Sequence, residues 1–174
     1  MKMQNVFGQM DKLKVVPVIA LDDAAAAEPL GEALLAGGVP AAEITFRTAA
    51  AAEAIARLSK AFPDMLVGAG TVLTPDDARR AREAGAAFAV APGTNEAVLD
   101  AAEEVGLPFA PGVMTPSEIE RALARGLGVL KFFPAGAAGG PKMLKSLAAP
   151  YAHAGVRFIP TGGVSESNLA EWLA

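Results

Sequence analysis

Short apolar runs and alanine-rich stretches alternate along this chain from residue 15 to its end, and that alternation restricts the fold more than any other feature. The runs at 15–21, 42–46, 65–69, 87–91, 107–110, 129–133 and 156–160 predict strands. Between them, stretches such as 49–61, 75–84, 95–105 and 116–125 carry apolar residues at three- and four-residue spacing and predict helices. The unit recurs roughly every 21–27 residues, about the length of a strand, a helix and two short turns. Gly37-Gly38, Gly85, Gly106, Gly126 and Gly155 stand where helices should end, in the left-handed cap that glycine enters without steric cost. Thr74-Pro75 and Thr115-Pro116 read as a capping hydroxyl followed by proline at the first helical position. Strict β-α alternation implies parallel strands joined by right-handed crossovers. An open doubly wound sheet would satisfy it, but the even spacing and uniform junctions favour a (β/α)8 TIM barrel. Residues 6–13 have helical spacing and predict a helix closing the barrel floor.

One unit is short. The chain ends at Glu171-Trp172-Leu173-Ala174, in or just after the helix that follows the strand at 156–160. Barrels of this class have eight strands and run to at least about 200 residues. The expectation is therefore a single barrel domain over 1–174 whose eighth βα unit is missing at the C-terminal end. A net charge of −4 offers no basic footprint for nucleic acid. Without cysteine there is no disulfide and no thiolate metal site. The lone His153, before the strand at 156–160, reads as a solvated surface residue, so no metal is expected. No apolar span approaches about 18 residues and no signal-peptide core precedes the first helix. The expected setting is the cytoplasm, with no membrane partner.

Polar residues cluster at the predicted strand ends, where barrels of this class carry their chemistry. In Glu43-Ile-Thr45-Phe-Arg47 the side chains alternate, so Glu43, Thr45 and Arg47 share one face and Ile44 and Phe46 the other. Thr71, Pro92 and Thr161 each follow a strand. Lys131 lies inside the apolar run Val129-Leu-Lys131-Phe-Phe133-Pro134, whereas Lys2, Lys12, Lys14, Lys60, Lys142 and Lys145 lie in polar or helical stretches. Burying an unpaired ammonium is expensive, and imine-forming enzymes use desolvated lysines as nucleophiles. A lysine that snorkels out of the strand end, or a salt bridge of Glu43 with Arg47 or Lys131, would account for these charges structurally. Gly68-Ala-Gly70 suggests a dinucleotide turn, but the third glycine and the later acidic residue are absent.

Together Glu43-Ile-Thr-Phe-Arg47, Gly68-Ala-Gly-Thr71, Pro92-Gly93, Lys131-Phe-Phe-Pro134 and Pro160-Thr-Gly-Gly163 resemble the bacterial 2-keto-3-deoxy-6-phosphogluconate (KDPG) aldolases of the Entner–Doudoroff pathway, which also act as 4-hydroxy-2-oxoglutarate aldolases. The resemblance implies a (β/α)8 barrel, usually trimeric. It implies a metal-independent class I lyase without cofactor that splits a phosphorylated 2-keto acid into pyruvate and glyceraldehyde 3-phosphate. Carried over by matching motif, Lys131 forms the Schiff base and Glu43 is the general acid and base. Arg47 and Thr71 hold the substrate carboxylate, Pro92 lines the site and Phe133 packs beside the imine. Thr161, Gly162 and Gly163 take the phosphate, with the glycine amides leading into a helix capped near Ser165. The resemblance also implies that an eighth strand, expected to be missing here, supplies part of that phosphate site. A sister aldolase for the galactonate epimer, a phosphate-binding barrel without imine chemistry, and an inert scaffold are the alternatives.

Overall fold

The elements run α1 (Met3–Leu13), β1 (Val18–Ile19), a 3-10 turn (Ala24–Ala26), α2 (Ala27–Ala36), β2 (Ala41–Thr45), α3 (Ala51–Ala61), β3 (Leu66–Gly70), α4 (Pro75–Glu83), β4 (Phe88–Val90), α5 (Glu96–Glu104), β5 (Phe109–Ala110), β6 (Gly112–Val113), α6 (Pro116–Ala124), β7 (Val129–Phe132), α7 (Gly140–Ala148), a second 3-10 stretch (Ala149–Ala154), β8 (Arg157–Pro160) and α8 (Leu169–Leu173). This computed structural model describes residues 3–173; Met1, Lys2 and Ala174, and with them the ends of the expected 1–174 domain, lie outside the described residues. Strands and helices alternate as the apolar periodicity predicts. The ladders β1–β2, β2–β3, β3–β4, β6–β7 and β7–β8 are all parallel.

Two compact units are present: residues up to 90 with 95–109, and residues 91–94 with 110 onward. The first carries a five-stranded sheet in the order β1-β2-β3-β4-β5. Its core includes Ile44 on β2, Ile55 and Leu58 on α3, Val67 on β3 and Phe88 on β4, all within 2 % of full burial. The second carries the sheet β6-β7-β8, packed through Val113, Ile119, Ala122, Leu130, Phe132 and Leu147. The single strand expected at 107–110 is instead two, β5 and β6, separated by Pro111. Proline has no N–H to give a ladder, although its carbonyl still accepts the Lys131 amide at 2.8 Å.

The junction chemistry follows the sequence. Gly38, Gly85, Gly106, Gly126 and Gly155 have φ between 62° and 90°, as left-handed caps require. Ahead of α4, Thr74 Oγ1 accepts the Asp77 amide at 3.1 Å while Asp77 Oδ2 accepts the Thr74 amide at 3.0 Å. Ahead of α6, Glu118 Oε2 accepts from the amides of Met114 and Thr115 and from the Thr115 hydroxyl at 2.7–2.9 Å. Burial pushes the Glu118 carboxyl up, but these donors, with Arg121 nearby, outweigh it and hold the group below the usual carboxylate range. Its stabilising contribution is therefore present at neutral pH and fades as pH falls through that lowered value. After Gly163 the chain makes one turn before its regular helix begins. The Ser165 amide donates to Asn168 Oδ1 at 2.8 Å in a turn, and α8 starts only at Leu169. This is the same acceptor three residues on that caps α4 and α6, so the helix entry expected near Ser165 is present as a capped turn leading into α8.

Gly68-Ala-Gly70 forms the last three residues of β3 and not a cofactor turn. Gly68 pairs in register with Phe88, and a Cβ at 68 would collide with the fully buried Phe88 ring. Gly68→Ala is expected to destabilise the fold by about 1–3 kcal/mol, the usual penalty for overpacking a filled core. Urea or thermal unfolding of the two proteins measures it.

Candidate active site

β2 presents its polar residues as the alternation predicts. Ile44 is fully buried, and the Phe46 ring beyond it has the Arg80 guanidinium of α4 5.5 Å from its centroid. On the other face Glu43 is 4 % exposed and Thr45 only 1 %. Glu43 pairs in register with Gly68 and Thr45 with Gly70. The Glu43 side chain leans along the strand direction, so that its carboxylate lies where a side chain of residue 70 would be. Arg47, past the strand end and exposed, donates from Nε to Thr45 Oγ1 at 3.1 Å. That bond uses one edge of the guanidinium and leaves the terminal fork, with its parallel N–H bonds, for a carboxylate.

Thr71 follows directly on β3 with φ 57°. A β-branched residue in the left-handed region is strained, by an amount on the order of 1–3 kcal/mol, and such strain gathers at functional positions. Gly70 O accepts the Phe46 amide at 2.8 Å, so β2 and β3 remain joined up to the residues before Arg47 and Thr71. The first unit thus brings Glu43, Thr45, Arg47 and Thr71 to the carboxyl ends of two adjacent strands.

The second unit holds the rest. Lys131, in the middle of β7, is 4 % exposed, paired with Gly112 on one side and Ile159 on the other. Lys12, Lys14, Lys60, Lys142 and Lys145 are all exposed, as expected. Lys131 Nζ lies 5.8 Å from the centroid of the Phe133 ring, which puts an apolar surface beside the amine. That ring in turn packs on Gly162, where a Cβ would sit 3.2 Å from it. Gly162 and Gly163 have φ of 89° and 81°, conformations that L side chains resist. The segment is tied back by the Ala135 amide to Thr161 O and the Gly136 amide to Gly162 O, both at 2.8 Å. The Pro92-Gly93 turn presses its backbone onto Gly112, where no side chain would fit, and the Thr94 hydroxyl donates to Gly112 O at 2.9 Å. Pro92, Lys131, Phe133, Thr161, Gly162 and Gly163 therefore all belong to this unit.

His153 is exposed in the second 3-10 stretch, as expected of a solvated residue. Two residues absent from the sequence-derived site set shape it: Thr45, which orients Arg47, and Gly70, which makes room for Glu43. The first was legible in the alternation of Glu43, Thr45 and Arg47. The second was not, because a glycine in a strand does not announce which neighbour needs the space. Among the described residues, no helix is long and apolar enough to cross a membrane.

Residues 6–174 match the family model described as KDPG and KHG aldolase. The chain is 46 % identical over 172 residues to 2-dehydro-3-deoxy-phosphogluconate aldolase of Treponema pallidum, covering 99 % of this chain and 81 % of that protein. It superposes at TM-score 0.91 on KDPG aldolase from Legionella pneumophila, with 41 % identity over all of this chain and 82 % of the other; that crystal structure holds pyruvate as a covalent carbinolamine intermediate. The 2-keto-3-deoxy-6-phosphogluconate aldolase of Zymomonas mobilis with 3-phosphoglycerate superposes at 0.90, with 38 % identity over 99 % of this chain and 81 % of that one. The fold class is accordingly the (β/α)8 barrel of these aldolases, and the parallel ladders and strict alternation agree with it.

Proposed function

The chain belongs to the KDPG and KHG aldolase family, and from that premise we propose which of its residues carry out the reaction. It is a class I aldolase, a lyase that cleaves KDPG to pyruvate and glyceraldehyde 3-phosphate through a covalent intermediate. Lys131 is the amine that adds to the C2 carbonyl carbon of the substrate. Loss of water then leaves a protonated imine. The C3–C4 bond breaks, and its electron pair moves toward the iminium to give an enamine. As C4 becomes an aldehyde, the proton of its hydroxyl passes to Glu43. Glu43 returns a proton to C3, and hydrolysis of the imine frees pyruvate and Lys131.

Arg47 grips the substrate carboxylate through the paired donors of its fork, alongside Thr71. Pro92 and Phe133 supply the apolar wall. Thr161, Gly162 and Gly163 take the phosphate, the two glycines offering backbone N–H groups from left-handed positions as anion-binding nests do. We place 4-hydroxy-2-oxoglutarate among the substrates, a homotrimer as the assembly and the cytoplasm as the setting.

The observation that carries this reading is the burial of Lys131 at 4 % exposure beside an aromatic ring, while the lysines at 12, 14, 60, 142 and 145 are exposed. Borohydride reduction in the presence of pyruvate tests it. A pyruvate-derived adduct is expected on the peptide bearing Lys131, undiminished by a chelator; an adduct mapped to another lysine, or none, refutes the assignment. Thr45→Val probes the Arg47 role. It removes the acceptor of the Nε bond while keeping the side-chain shape. KM for the 2-keto acid is expected to rise about 5–10-fold with kcat nearly unchanged, as for the loss of a single hydrogen bond to a charged group. Steady-state kinetics decides it.

A further inference from the structure

We propose that Gly70 is a positioning residue for the reaction: its missing side chain is the space that fixes the Glu43 carboxylate. The proposal rests on the reading of Glu43 as the proton carrier and goes beyond it.

Glycine usually earns its place by conformation, and here it does not. Gly70 is the last residue of β3, and its φ is not in the left-handed region, so the backbone would accept any L residue. Alanine would even be favoured there, since glycine has more freedom to lose on folding. The need is one of volume. A Cβ at 70 would fall on Glu43 Oε1 and lie 2.8 Å from both Cδ and Cγ of that side chain. Nothing else is so close: the three nearest heavy atoms all belong to Glu43.

The contrast with Gly68 sharpens this. There the obstructing group is the Phe88 ring, wholly buried and unable to retreat, so that glycine serves packing. At 70 the obstructing group is the end of a side chain with three rotatable bonds. It can swing away, and doing so carries the carboxylate off its bearing. The two glycines share one face of β3, since alternate residues do. One is kept clear for an aromatic ring and the other for a catalytic carboxylate. Because Glu43 moves protons to and from defined oxygen and carbon atoms, a displacement on the order of 1 Å costs roughly a hundredfold in rate.

The test is a double-mutant cycle on the full chain with three readouts: unfolding midpoint, borohydride trapping of pyruvate, and kcat for KDPG cleavage. Gly70→Ala is expected to fold, to trap pyruvate within about threefold of the parent, and to lose roughly a hundredfold in kcat. In the Glu43→Gln background, where the proton carrier is already gone, the same substitution is expected to change kcat by less than about threefold. A kcat close to that of the parent in Gly70→Ala overturns the proposal, and so does an equal loss in both backgrounds. If Gly70→Ala fails to fold, the Glu43→Asp background decides. Recovery of folding with the shorter acid supports the carboxylate as the obstacle, whereas failure in that background too overturns it. Unchanged turnover in Glu43→Gln alone overturns the underlying Glu43 role, and this proposal with it. A normal Glu43→Gln defect beside a harmless Gly70→Ala sinks only the proposal.

Discussion

Lys131→Met is expected to fold and to be inert: kcat/KM for KDPG cleavage falls at least about 10⁴-fold, the scale on which covalent enzymes depend on their nucleophile. Methionine keeps an unbranched stem of similar length and removes the amine. The side-chain end keeps its apolar neighbour Phe133, while any polar partner of the amine is left behind, which lowers stability. Unfolding midpoint and turnover, measured on the same preparation, separate the two effects: the protein still unfolds cooperatively while turnover disappears. Trapping by borohydride disappears with it. Residual cleavage within a hundredfold of the parent would show that imine formation at 131 is not the route.

Glu43→Gln separates the steps differently. The amide is nearly isosteric with the carboxylate, so the geometry over Gly70 is kept while the capacity to accept and return a proton is lost. The expected result is a fall in kcat of about 10²–10⁴, the usual worth of a positioned acid–base group. Pyruvate should still be trapped on Lys131, because addition to the carbonyl precedes the step that needs Glu43. Single-turnover kinetics reads this directly: adduct forms and carbon–carbon cleavage stalls. If trapping and cleavage fell together by the same factor, Glu43 would be serving imine formation and not bond cleavage.

The alternation of strands and helices was legible in the sequence because each device that sets it is local. The caps at Thr74 and Thr115, the terminating glycines and the apolar spacing each act within one turn of chain. The polar face of β2 was legible for the same reason, since alternation alone assigns Glu43, Thr45 and Arg47 to one side. The break at Pro111 was readable in principle from the missing N–H, yet the run 107–110 hid its continuation as β6. The turn between Ser165 and α8 was less legible, because composition does not fix whether a capped turn continues at once as a regular helix. Least visible were the left-handed Thr71 and the meaning of Gly68 and Gly70. Both depend on what adjacent strands bring alongside, which is information the local sequence does not contain.

The two glycines of β3 have a consequence for protein engineering. Each is the imprint of a bulky side chain from the strand next door, so positions 43 and 70 form one matched set and positions 68 and 88 another. Grafting the glutamate strand onto a different scaffold, without its hollowed neighbour, would transfer the acid but not its aim. A designer borrowing this chemistry has to copy the absence as well as the residue.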